Sequence, residues 1–229
     1  MEAIILAGGF GTRLQNKLGN IPKPMAPINN RPFLDYLLDY LIKRKVKKAI
    51  LSVYYQYQII KNHYDDCYRD IDIQYSIDTE ELGTGGAIKN ALLMADDDHV
   101  FVINGDTHFD VNLSRLYKEH ITNNNEITLS LKPMKNFDRY GIVETDSNAK
   151  VLSLKEKQYC DYGKIDGGIY LVKRNIFNSI KNKNKFSFND FIMRNLNNIK
   201  VGSLLCDEIF IDIGTSEDYD RAHLILENR

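Results

Sequence analysis

The sequence predicts an α/β protein: a Rossmann-like, mixed but mostly parallel sheet flanked by helices in three layers, α/β/α. Three observations lead there. Over the first half of the chain, short apolar runs alternate with segments whose apolar residues recur at i, i+3 and i+4. Two of those runs end in glycine loops, Gly8-Gly9 and Asn104-Gly105-Asp106. The chain has 229 residues, 43% hydrophobic and 27% charged, which suits a packed globular domain.

Each element has its own signal. Residues 3–7 are an apolar run entering Gly8-Gly9, a buried strand feeding a loop. Over 31–45, Phe33, Leu34, Leu37, Leu38, Leu41 and Ile42 take helical spacing. Asn30 is placed to cap that helix, and Pro32 suits its first turn. Strands follow at 49–53, 71–77 and 99–103, with helices at 58–64, 86–95 and 113–121. Strands separated by helices imply right-handed βαβ units. Such sheets bind ligands beyond the carboxyl ends of their strands, which directs attention to 8–13 and 106–110. The second half is less regular. Strands are expected at 126–132, 141–145, 151–156, 168–173, 202–206 and 209–213, where the sheet turns mixed. A closing helix spans 215–227, with Thr215 and Asp218 at capping-box spacing, and 181–185 reads as a surface turn. No linker, repeat or low-complexity tract divides the chain.

Composition excludes several function classes. Lys and Arg number 30 against 31 acids, a net charge of −1, so no global field draws the chain to nucleic acid or a membrane surface. The N-terminal MEAIILAGG has no basic flank and too short an apolar run for a signal or a span. Cys67, Cys160 and Cys206 are an odd, widely spaced set, which argues against a disulfide frame or a zinc site and for a reducing cytoplasm.

Four constellations can carry chemistry. In LAGGFGTRL, from Leu6, adjacent glycines after a strand let the backbone reach a ligand, and Arg13 adds a forked cation. Lys23 lies between Pro22 and Pro24, which stiffen the chain around its ammonium. The loop lacks the third glycine of a dinucleotide fingerprint, and GTGGAIK lacks the GK[ST] ending of a P-loop. Asp106, at a strand's carboxyl end, suits Mg²⁺, and Asp212 interrupts an apolar strand. If the two converge, they make a two-carboxylate metal site. In DTEELGTGG, Asp78 and Glu80 either accept the paired N–H donors of a base such as guanine or favour a helix dipole. His108 is isolated, close to Asp106, and of a type more often found as a polar surface residue.

These pieces resemble the sugar 1-phosphate nucleotidyltransferases. The matching segments are LAGGFGTRL, PKPM, ELGTGGAI, NGDTHFD, RYGIV, Glu156-Lys157, DGGIYLV and FIDIGTSEDY, in family order over nearly the whole chain. PKPMAPIN, ELGTGG, NGDT and DIGTSEDY are most similar to the branch that guanylylates D-glycero-α-D-manno-heptose 1-phosphate. The resemblance implies one domain, with a nucleotide half over about 1–125 and a sugar-phosphate half over about 126–229. Leu6, Gly8, Gly9, Gly11, Thr12, Asp78, Glu80 and Gly83 would line the nucleotide. Arg13 and Lys23 would bind the phosphates, Asp106 and Asp212 the Mg²⁺ cofactor. Gly141, Glu156, Lys157 and Asp166 would meet the sugar phosphate. Asp166 departs from the usual Asn, and Gln158 replaces a usual proline.

The implied partners are GTP and a sugar 1-phosphate, with no nucleic acid and no membrane; a homodimer stays open. Alternatives are a uridylyl- or thymidylyltransferase on a hexose 1-phosphate, a silent sugar-nucleotide-binding subunit, or a glycosyltransferase using an Asp-X-Asp metal motif. Asp96-Asp97-Asp98 matches that last pattern formally but reads as a solvated loop.

Overall fold

Apolar alternation in Glu2–Leu6 (β1) sends Ala3 and Ile5 to one side of the chain and Ile4 to the other, and both sides are buried. That double burial is the mark of a central strand covered on both faces. The computed structural model describes residues 1–9, 19–178, 180 and 184–227. Gly11, Thr12 and Arg13 lie outside the described residues, as does part of the turn expected at 181–185.

A short 3₁₀ turn, Lys23–Met25, leads into a two-residue hairpin of Pro27–Ile28 (β2) and Arg31–Pro32 (β3). Then come Phe33–Lys43 (α1), Lys48–Val53 (β4), Tyr57–Tyr64 (α2), Cys67–Tyr68 (β5) and Ile71–Ile77 (β6). Gly83–Leu92 (α3), His99–Asn104 (β7), Thr107–Phe109 (β8) and Leu113–Thr122 (α4) follow. The second half holds Ile127–Phe137 (β9), Val143–Thr145 (β10), Val151–Leu154 (β11) and Cys160–Lys173 (β12). Phe188–Asn195 (α5), Val201–Leu205 (β13), Phe210–Asp212 (β14) and Ser216–Ile225 (α6) close the chain.

The main sheet has eight strands in the order β13-β9-β12-β7-β1-β4-β6-β5. The pairs β13/β9, β7/β1, β1/β4 and β4/β6 are parallel, while β12 runs antiparallel to both its neighbours. The sheet is therefore mixed and mostly parallel. Apolar residues of α1, α2, α4 and α6 pack with Ala3, Ile5, Leu51 and Ile103 on one face. Those of α3 and α5 pack with Ile4, Ile50, Val100 and Val102 on the other, giving three layers.

Several expectations need correction. Asn30 does not cap α1, and Pro32 precedes the helix rather than sitting in its first turn. Asn29 and Asn30 both have positive φ, 49° and 65°, and close the β2–β3 hairpin. A two-residue hairpin turn demands that conformation, which Asn tolerates, so the turn takes the residue the cap would have used. Helix α3 starts three residues earlier than its apolar pattern, because glycines form its first turn. Strands β9 and β12 run well beyond the predicted ends as a two-stranded ribbon, held by ladder bonds where the side chains are polar. Helix α5 was not anticipated. Phe188, Phe191 and Ile192 are its buried stripe and Ser187 is its cap, a pattern obscured by the Asn/Lys-rich approach. The Thr215 cap holds as read: its side chain accepts from the Asp218 amide at 3.3 Å.

Candidate active site

The carboxyl ends of β1 and β7 lie side by side, and Gly105 makes that possible. A Cβ there would sit 2.5 Å from the Leu6 carbonyl oxygen. The close approach puts Asp106 beside the glycines that follow β1. Lys23 arrives from the 3₁₀ turn, where Met25 N–H bonds the Pro22 carbonyl and Pro24 is buried. Asp212, the last residue of β14, comes alongside because β14 pairs with β8 and sets Asp212 opposite Thr107. Helix α6 then clamps back on the hairpin after Lys23: Asn29 Nδ2 donates to the His223 carbonyl at 2.8 Å, and the Tyr219 hydroxyl to that of Pro27.

The result is a cleft with two lobes. The larger, of about 470 Å³, is lined among others by Arg139, Tyr140, Gly141, Lys155, Lys157 and Asp166. The smaller, of about 330 Å³, is lined among others by Leu6, Gly8, Ser52, Tyr54, Asp78, Glu80 and Gly83. Gly9, Lys23, Asn104 and Asp106 line both. This shared wall is the centre of the site.

At the wall, Lys23 Nζ lies 2.5 Å from Asp106 Oδ2 and 3.9 Å from Asp212 Oδ1. The two carboxylates therefore do converge on one cation. Burial pushes the Asp212 carboxyl up, and the nearby Asp106 charge pushes it further, against the opposing pull of Lys23. Among the described residues, no group of three or more His, Cys, Asp or Glu is arranged to hold a metal ion. Two carboxylates that line the cleft fit Mg²⁺, which takes one or two carboxylates and completes its shell with phosphate oxygens and water.

In the smaller lobe, Asp78 is buried and its Oδ1 accepts from Asn90 Nδ2 of α3 at 3.0 Å, while Glu80 is exposed. Burial raises the Asp78 carboxyl, and the Asn90 bond opposes the rise. In the larger lobe, Asp166 accepts from the Gly168 amide at 2.9 Å and from the Tyr170 hydroxyl at 2.6 Å. Burial raises its carboxyl too. Lys157 lines the lobe; Glu156 is exposed and is not among the lining residues.

His108 corrects an expectation. It is buried rather than a surface residue, edge-on to Tyr40 at 5.7 Å, in a separate cavity with Asp39, Arg44 and Asp110. Strand alternation turns it away from the face that presents Thr107 to the cleft. Asp96-Asp97-Asp98 lies before β7, at the opposite strand ends from Asp106. The Asp96 and Asp97 amides there bond Glu2, at 2.7 and 2.9 Å, so the triplet closes the sheet rather than the cleft.

Sequence reading missed Asn90, Asn104, Arg139, Tyr140 and Lys155. Arg139 and Tyr140 stand within RYGIV and Asn104 within NGDTHFD, and those segments were the signals for them. Asn90 reaches Asp78 only because α3 packs across the end of β6, which no local pattern reveals.

A sequence model of the family described as Nucleotidyl transferase matches residues 2–229. The chain belongs to that family. Among nucleotidyl transferases, it is 46% identical over 228 residues to the D-glycero-alpha-D-manno-heptose 1-phosphate guanylyltransferase of Campylobacter jejuni, covering 100% of both chains. It is 44% identical over 229 residues to the protein of the same name from Aneurinibacillus thermoaerophilus, covering 100% of this chain and 99% of that one. The crystal structure of HddC from Yersinia pseudotuberculosis, complexed with GMP-PN, matches with a TM-score of 0.86 at 33% identity over 98% of this chain and 99% of that one. Among the described residues, no helix of this nucleotidyl transferase is long and apolar enough to cross a membrane.

Proposed function

We propose that the chain transfers GMP from GTP to D-glycero-α-D-manno-heptose 1-phosphate, giving GDP-heptose and pyrophosphate. The observation that carries the reading is the wall shared by the two lobes, where Lys23, Asp106 and Asn104 face both cavities. A triphosphate in one lobe and a sugar phosphate in the other meet there. The two guanylyltransferases similar over their whole length supply the substrate pair. In this reading the chain is one domain, with its nucleotide half over about 1–125 and its sugar-phosphate half over about 126–229. It works in the cytoplasm, where the free thiols of Cys67, Cys160 and Cys206 persist.

The chemistry follows from charge. A sugar phosphate has a second pKa of about 6, so near neutral pH it is largely a dianion and needs no general base. One of its oxygens attacks the α-phosphorus; the bond to the β-phosphate bridging oxygen breaks, and pyrophosphate leaves with that electron pair. The obstacle is repulsion between two polyanions, so the protein's task is to hold them in line and offset the charge. Lys23 stands where the lobes meet, and Lys155 and Lys157 stand at the sugar-phosphate side. Arg13 is assigned to the triphosphate with Gly8, Gly9, Gly11 and Thr12. Bound at Asp106 and Asp212, Mg²⁺ would supply further charge neutralisation at the phosphates.

Base choice falls to Asp78. An ionised carboxylate only accepts hydrogen bonds, and guanine offers N1–H and N2–H₂ side by side. Uracil and thymine offer one N–H between two carbonyls, which an acid would repel. This disfavours the uridylyl and thymidylyl readings, and the intact Lys23, Asp106 and Asp212 set disfavours a silent subunit. The test incubates the protein with GTP, UTP or dTTP and a panel of sugar 1-phosphates, and measures pyrophosphate. GTP with the heptose phosphate should be fastest. Equal turnover with UTP or dTTP would overturn the base assignment, and no pyrophosphate from any pair would overturn the reaction.

A further inference from the structure

The carboxylate of Asp212 is approached at both of its oxygens. While Oδ1 faces Lys23, Oδ2 accepts from the Tyr140 hydroxyl at 3.1 Å. That hydroxyl in turn accepts from Arg139 Nη2 at 3.0 Å. Arg139 Nη1 donates to Thr215 Oγ1 at 3.0 Å, and the same guanidinium pairs with Asp218. Thr215 and Asp218 are the capping pair of α6. The Tyr140 ring meets Phe210, two residues before Asp212, edge-on at 5.9 Å. One dipeptide therefore grips the chain on both sides of Asp212, and the next residue, Gly141, lines the larger lobe.

We propose that Arg139 and Tyr140 are a positioning pair that fixes the Asp212 carboxylate for Mg²⁺ and couples it to the sugar-phosphate lobe. The inference rests on the reaction proposed above.

The division of labour between the two side chains has a physical reason. A guanidinium placed directly on Asp212 would neutralise the charge that a metal needs. Here the Arg139 charge is directed to Asp218, and of this pair only the neutral Tyr140 hydroxyl reaches Asp212. The hydroxyl fixes the carboxylate's rotation and leaves Oδ1 turned to the cleft. The Tyr140 hydroxyl is the donor in its bond to Asp212. Groups that orient a metal's ligands in this way change metal affinity or activity by about 10–100-fold when removed.

The test is Tyr140→Phe, which deletes the hydroxyl and keeps the ring on Phe210. The Mg²⁺ concentration giving half-maximal GTP binding should rise about 10–100-fold. Mn²⁺ binding in the presence of GTP, followed by electron paramagnetic resonance, should weaken in parallel. GTP binding in EDTA and the thermal midpoint should stay near wild type, and pyrophosphate release should recover at high Mg²⁺. Arg139→Met should give the same shift, and the double variant no more than either alone. A wild-type metal requirement in Tyr140→Phe overturns the pair's role. So does equal weakening of GTP binding with and without metal, which marks a purely structural contact. If the wild-type protein shows neither metal-dependent GTP binding nor pyrophosphate release, the reaction reading falls with it; if it shows both and the variant matches it, only the pair falls.

Discussion

Asp78 and Glu80 stand two residues apart, yet burial separates them: Asp78 is enclosed and held by Asn90, Glu80 is in solvent. Asp78→Asn puts an N–H where guanine needs an acceptor. It should lower kcat/KM for GTP on the order of 10²-fold and shrink the preference over UTP. Glu80→Gln should change little. Steady-state kinetics with both triphosphates separates them, and the reverse ranking would move base reading to Glu80. A second residue-scale expectation concerns His120, which is fully buried, with one ring nitrogen 2.8 Å from Thr128 Oγ1 and the other 3.0 Å from His99. Burial, and then the neighbouring His99, bring its pKa down to about 3 from an ordinary 6.5. The folded state thus favours neutral His120. Its contribution is intact above about pH 6.5 and is lost as the unfolded chain takes up the proton between there and about 3. Urea midpoints measured across that window should fall with acidification, and His120→Gln should flatten the slope. An unchanged slope would assign acid sensitivity to other groups.

Strand β12 shows what an element can do that its residues cannot. Its pairing register shifts between Asp166 and Tyr170, and Gly168 takes φ +74° within the irregularity. A Cβ on Gly168 would sit 2.7 Å from Asn104 Nδ2. Gly168→Ala should therefore cost about 1–3 kcal/mol of stability and push on the loop that carries Asp106. Chemical denaturation and pyrophosphate release should both register the change; full activity would mean the loop yields freely. This irregularity also marks the limit of what could be read beforehand. The strands and helices of the first half were legible because each buries a periodic apolar face. The Asp166–Gly168 bend, the ribbon of β9 and β12, and the Asn29-Asn30 turn are set by backbone pairing and left no hydrophobic period. Lys23, Asp106, Asp78 and Lys157 were legible as cleft residues, through glycine and proline context or motif resemblance. Asn90 and the roles of Arg139 and Tyr140 were not, since each acts through a partner distant in sequence or by a bond that no motif encodes.

At the scale of the whole molecule, three distant segments bring Lys23, Asp106 and Asp212 together: the start of the chain, the end of β7 and the approach to α6. Asp106→Asn and Asp212→Asn should each remove most Mg²⁺-dependent turnover while leaving circular dichroism unchanged, and EDTA should abolish turnover in the wild type. Near-normal turnover in either variant would make that carboxylate structural. The wall common to the two lobes has one more consequence. In the proposed reaction a sugar nucleotide would occupy both rooms at once, joined by a tether that runs past the wall. Its two ends hold each other at high effective concentration, so letting go of one end is followed by quick recapture. On that reading the product should bind more tightly than either substrate, and a pre-steady-state burst of pyrophosphate should reveal release as the slow step. A compound copying that bridged shape, with its two ends linked beforehand, would exploit the same grip as an inhibitor.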